Sequence, residues 1–113
     1  MGLMKSGVNW PADADGDVFR RLRAHDFDFK RHHDVDFIVD IDGWPPKPAL
    51  VELLRKEFRT VKLSEPEAEG PGHIRIVIND KLTYELVTSV QKYISQLAAP
   101  FDGTCESWGV LST

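Results

Sequence analysis

Between residues 34 and 42 apolar and polar positions alternate: Val35, Phe37, Val39 and Ile41 against Asp34, Asp36, Asp40 and Asp42, with Ile38 the one apolar residue on the polar side. A period of two places the first set on one face of a β-strand and the second on the other. Gly43 and Pro45-Pro46 end the strand. His73 to Asn79 repeats the pattern, with Ile74, Ile76 and Ile78 on one side and Arg75, Val77 and Asn79 on the other. Thr60 to Ser64 predicts a shorter strand with Val61 and Leu63 turned inward. Gly103 opens a last strand, in which Cys105, Ser107, Gly109 and Leu111 share one side and Glu106, Trp108 and Val110 the other.

The intervening segments change to helical spacing. Val18, Phe19 and Leu22 predict a helix from Asp17 to about His25, capped by Asp15 or Asp17, whose carboxylate accepts orphan backbone N–H groups. Phe27 and Phe29 anchor the connection that follows. Pro48 suits a first helical turn, where its missing N–H costs nothing, and Leu50, Leu53, Leu54 and Phe58 then form one face. Asp80 is placed to cap a long helix carrying Leu86, Val87, Val90, Ile94 and Leu97, which Pro100 stops. Glu65 to Gly72, with its prolines, glycines and glutamates, is a loop.

After the first helix the order is strand, helix, strand, strand, helix, strand. That βαββαβ order predicts an α+β fold, a ferredoxin-like sandwich with a four-stranded antiparallel sheet and both crossover helices on one face. Residues 1–14, which lack periodicity, read as an N-terminal arm, and 15–113 as a single domain with an extra N-terminal helix.

The face away from the helices then carries Asp36, Ile38, Asp40 and Asp42 beside Arg75, Val77 and Asn79. Turning the small side of the last strand inward adds Glu106 and Trp108 to that face. The first helix must bury Val18, Phe19 and Leu22, and covering part of the second face would also shelter Ile38 and Val77. The alternative for Trp108 is packing under the first helix or the arm that bears Trp10. The aspartates either form a solvated face that discourages edge pairing or dock a basic segment of another protein. Trp44, beside Pro45-Pro46, is a second aromatic candidate for an interface anchor.

Composition narrows the chemistry. A chain of 113 residues supports one core, and its single cysteine, Cys105, excludes an internal disulfide and Cys-rich metal sites. No apolar run reaches the roughly 20 residues of a membrane helix, so a reducing cytoplasm is the expected location. The net charge is −4, and the basic residues gather at Arg20 to His33. A sheet face of aspartates without stacking aromatics argues against RNA binding there. His25, His32, His33 and His73 form no ligand pattern, and neither a phosphate loop nor a nucleophile–base pair is present. Cys105 reads as a small buried strand residue. The expectation is a protein-binding, non-enzymatic domain without cofactor or metal.

Several short motifs carry a resemblance. Gly16-Asp17-Val18-Phe19-Arg20-Arg21-Leu22 is followed by Phe27-Asp28-Phe29 and Asp34-Val35-Asp36-Phe37, and the chain closes with Phe101-Asp102-Gly103 and Cys105-Glu106-Ser107-Trp108-Gly109. In this order, from about Gly16 to Leu111, they resemble the family of ribonuclease E inhibitors called regulator of ribonuclease activity B. That family's ending, Tyr-Asp-Gly-Trp-Gly, keeps its acid, tryptophan and last glycine here. The resemblance implies an α+β sandwich that binds ribonuclease E, or part of its degradation complex, and restrains it. The expected contact surface is Asp36, Asp40, Asp42, Glu106 and Trp108. A small-ligand sensor, with a pocket between the sheet and the N-terminal arm, is the alternative.

Overall fold

The computed structural model describes residues 10–68 and 70–110. Helix α1 (Ala14–Ala24) precedes β1 (His32–Ile41), α2 (Pro48–Glu57), β2 (Thr60–Ser64), β3 (His73–Lys81), α3 (Tyr84–Ala98) and β4 (Gly103–Val110), with a short 3-10 turn at Ala99–Phe101. The strands form one antiparallel sheet in the order β2-β3-β1-β4. β1 and β2 flank β3, and β3 and β4 flank β1, so α2 and α3 each cross over one intervening strand. The two β-α-β units interleave into an α+β sandwich.

Register makes the alternation of β1 effective. Val35 faces Ile78, Phe37 faces Ile76 and Val39 faces Ile74 across the β1–β3 pair. These cross-strand pairs place one apolar row beneath the helices. Val35, Phe37, Val39, Ile74 and Ile76 are fully buried there with Leu50 and Leu54 of α2 and Val87, Ile94 and Ala98 of α3. At about 25 cal/mol per Å² of apolar surface, each such Val, Leu, Ile or Phe side chain stabilises the fold by about 1.5–3 kcal/mol.

Both caps differ from the sequence expectation. The α1 cap is Asp13, whose extended backbone lets Oδ1 accept the Gly16 N–H at 2.7 Å. The α3 cap is Thr83, whose Oγ1 accepts the Leu86 N–H at 3.0 Å. Asp80 is not free to cap, because β3 keeps pairing with β1 as far as Lys81 opposite His32. Pro48 begins α2, and the turn containing Pro100 follows α3, both where proline was expected.

Helix α1 lies on the same side of the sheet as α2 and α3, not across the second face as its unpartnered apolar stripe had suggested. Phe19 is fully buried, 5.4 Å from the Trp108 ring and 6.2 Å from that of Tyr84. Trp10 stacks on Phe19 at 5.3 Å and sits 5.6 Å from Phe29. Arg20 Nη1 donates to the carbonyls of Trp10 at 3.0 Å and Pro11 at 3.2 Å, and Arg23 covers the Trp10 ring. This close return of the chain explains Gly16: a Cβ there would stand 1.9 Å from the Pro11 carbonyl oxygen. Residues 1–9 of the expected arm lie outside the described residues.

Candidate functional site

The face of the sheet opposite the helices is uncovered among the described residues. Its rows follow from the register. Thr60, Val77, Asp36 and Gly109 lie side by side, as do Lys62, Arg75, Ile38 and Ser107, and then Ser64, His73, Asp40 and Thr104. Asp34 lies opposite Asn79. The strand-pattern reading of β1 and β3 therefore matches the observed face, with Ile38 and Val77 half-buried near its middle.

Electrostatically the face is divided. Its acids stand on the central strand β1, and Lys62 and Arg75 stand on β2 and β3. Asp36 pairs with Arg75 across the strands at 3.7 Å, and Asp34 accepts from Asn79 Nδ2 at 2.8 Å. Asp40 is exposed opposite His73, whose Nε2 is screened from solvent and has no hydrogen-bond partner among the described residues. Asp42 stands one residue beyond β1, exposed, with its backbone N–H donated to the Asp102 carbonyl at 3.2 Å. Lys62 is the charge that the sequence reading missed. Only the inward residues of β2 had been given a role, although the strand's period of two also placed Lys62 outward.

Glu106 and Trp108 do not join the aspartates. The β1–β4 register shifts between Ile38 and Val39: Ile38 faces Ser107, whereas Val39 faces Cys105. Glu106 is the extra residue of this β-bulge. One extra residue reverses the facing of everything beyond it, so Cys105 and Trp108 both turn toward the helices. Trp108 lies opposite Phe37, packs on Phe19 and donates its indole N–H to Asp15 Oδ1 at 2.8 Å. Packing under the first helix, the alternative noted for Trp108, is what the structure shows. Glu106 is exposed at the β4 edge and lines a shallow depression with Asp13, Asp15, Thr88 and Gln91.

Asp13 and Asp15 are already engaged. Asp13 Oδ2 accepts from the Tyr84 hydroxyl at 2.6 Å, a bond that, with the Gly16 N–H, holds its carboxyl below the usual carboxylate range. The same bond pushes the Tyr84 hydroxyl up to about 12. Asp15 also accepts from Gln91 at 3.3 Å. Cys105 is buried, and desolvation, reinforced by Asp40 and Glu106, raises its thiol to about 12. A thiol so raised is a poor nucleophile at neutral pH.

Trp10, Phe19, Phe29 and Trp108 pack together on the helix side of the sheet, in the region where a sensor would need its pocket. Among the described residues no group of three His, Cys, Asp or Glu side chains is arranged to hold a metal ion. No helix among them is long and apolar enough to cross a membrane.

The model of the family described as regulator of ribonuclease activity B matches residues 12–110, from the α1 cap to the end of β4. The chain belongs to that family. The match spans the bulged strand and, of the aromatic cluster, Phe19, Phe29 and Trp108, so the motifs noted in the sequence are parts of one packed unit. A comparison with curated proteins found no match. Membership makes this chain one of a family of ribonuclease regulators, which implies a protein partner.

Proposed function

We propose that the protein is a non-enzymatic, cytoplasmic regulator that binds ribonuclease E, or a component of its degradation complex, and restrains RNA cleavage. The observation that carries this reading is the family match over residues 12–110. The contact surface we assign is the acidic side of the open sheet face, Asp36 and Asp40, continued by Asp42 at the strand end. An acidic row, half-buried at Asp36 and exposed at Asp40 and Asp42, beside the half-buried Ile38 suits a basic, partly apolar segment of a partner. Charge of this kind acts on association rate and specificity more than on raw affinity. Glu106 and Trp108 are left out of the surface because the bulge removes them from that row.

Ribonuclease E cleavage of a labelled RNA, with this protein titrated in, tests the reading. The assay is run with the full-length enzyme and with its catalytic half alone. Dose-dependent inhibition of the full-length enzyme only places the docking segment outside the catalytic half, and inhibition of both places it within. No inhibition, together with no complex on gel filtration, would overturn the assignment of this partner.

A further inference from the structure

A second surface lies at the end of the sheet where β1 and β2 stop and β3 begins. Here the turn after β1 passes beside the end of β2 and leaves an open cleft of about 670 Å³, lined by Trp44, Pro45, Pro46, Leu63, Glu65 and Glu67 among others. We propose that this cleft is a docking groove for an extended segment of a protein partner, one that inserts an apolar side chain next to a lysine or arginine. The inference rests on the cleft alone and is independent of the ribonuclease reading.

Four observations carry it. Leu63 lies opposite the fully buried Ile74 and so points to the helix side of the sheet, yet it is 42% exposed. Val61, two residues earlier on the same strand, is buried. The sequence pattern turns both inward; Leu63 does lie on that side, but at the end of the outer strand it stays uncovered although its neighbour Ile74 is fully buried. A lone exposed leucine is ordinary, but this one shares a concavity with an indole and three prolines, Pro45, Pro46 and Pro66.

The wall of the cleft is also already seated. A Cβ at Gly72 would stand 2.4 Å from Trp44 Cε3, so the indole lies directly against that backbone, and Pro46 is buried beneath the turn. A partner would not have to order these groups on binding, which removes part of the usual cost.

Charge then selects the occupant. Glu65 and Glu67 are exposed on the rim, and the lining residues include no lysine or arginine. Lys62 stands on the opposite face of β2, in the row of Arg75. A basic residue flanking the apolar anchor would meet two carboxylates there. Finally, β2 is an outer strand, and no described residue pairs with its outer edge. An extended chain lying along the cleft therefore has free backbone groups to bond, the arrangement used in strand addition.

The test is selection of a phage-displayed random peptide library against the full chain, followed by anisotropy titration of the enriched peptides. Enriched peptides should pair a leucine, isoleucine, phenylalanine or proline anchor with lysine or arginine. Leu63→Asp should weaken them at least about tenfold, as expected for an anchor contact. Glu65→Gln with Glu67→Gln should weaken them several-fold and flatten the salt dependence, and Asp36→Asn with Asp40→Asn should leave them unchanged. Leu63→Ser serves as the milder variant should the aspartate disturb folding, which circular dichroism reports. No enrichment over a blank surface would overturn the proposal. So would peptides that bind both Leu63 variants as tightly as wild type, or that depend on the β1 aspartates instead.

Discussion

Trp108 and Asp15 are 93 positions apart and joined by an indole N–H to carboxylate hydrogen bond of 2.8 Å. This contact ties the bulged strand to the first turn of α1, and the tilted packing of Trp108 on Phe19, with 40° between the ring planes, lies beside it. Because the acceptor is a carboxylate, the bond belongs to the stronger class of side-chain hydrogen bonds.

Replacing Trp108 by phenylalanine keeps most of the ring contact and deletes the donor. Urea unfolding should show a loss of about 1–2 kcal/mol, and Trp108→Ala a loss of about 3 kcal/mol or more. A phenylalanine variant as stable as wild type would mean that Asp15 gains nothing from the indole.

The Tyr84–Asp13 bond should appear in the pH dependence of stability. Tyr84 holds its proton up to about 12 in the folded chain, against an ordinary value of 10.0. The unfolded chain therefore releases that proton first. The contribution is complete below pH 10 and is lost as pH rises toward 12. At the acid end the lowered Asp13 carboxyl works in the other sense. Its contribution is present above its ordinary value and is lost as pH falls through the lower, folded one. Tyr93, raised in the same direction by its bond to Glu57, also contributes at alkaline pH. Comparing urea midpoints of wild type and Tyr84→Phe isolates the Tyr84 part: the two curves should converge between pH 10 and 12. Parallel curves across that interval would contradict it.

Cys105 should resist thiol reagents in the folded chain. Burial restricts access, and the raised thiol pKa leaves little thiolate near pH 8. Labelling with a chromogenic disulfide should be slow in buffer and fast in denaturant. Equal rates would show that β4 opens readily or is not packed against α3, where Ser95 Oγ accepts the Cys105 N–H at 2.9 Å.

The aspartate surface makes a prediction about binding rather than stability. Asp36→Asn, Asp40→Asn and Asp42→Asn together should weaken binding to the ribonuclease partner roughly tenfold at low salt and flatten its salt dependence. Only Asp36 of the three has an ion-pair partner in the described chain, and that pair with Arg75 is long and partly exposed, so stability should change by less than about 1 kcal/mol. Surface plasmon resonance at two ionic strengths provides the comparison. Affinity that does not move would place the contact elsewhere on the molecule.

Much of the architecture is legible in the linear pattern because it depends on local periodicity. The two-residue repeat of β1 and β3 identifies the buried row Val35, Phe37, Val39, Ile74 and Ile76, and Thr60–Ser64 is a strand with the bounds that its pattern suggests. Proline and glycine positions mark the start of α2, the end of α3 and the start of β4. The acidic row on β1 is legible for the same reason.

The remainder depended on contacts between distant segments. An amphipathic α1 announces that Phe19 must be buried, but not on which side of the sheet, and the choice was made by Trp108 and Tyr84. Which aspartate caps α1 depended on where Pro11 folds back over Gly16. The facing of Trp108 turned on one extra residue, Glu106, accommodated where β4 pairs with β1. Strand periodicity is a property of a single chain segment, so which residues alternate can be read along the chain. A bulge is a property of two paired segments, and the pairing of β4 with β1 sets where the alternation reverses and, with it, that Trp108 packs with the core rather than on the acidic face.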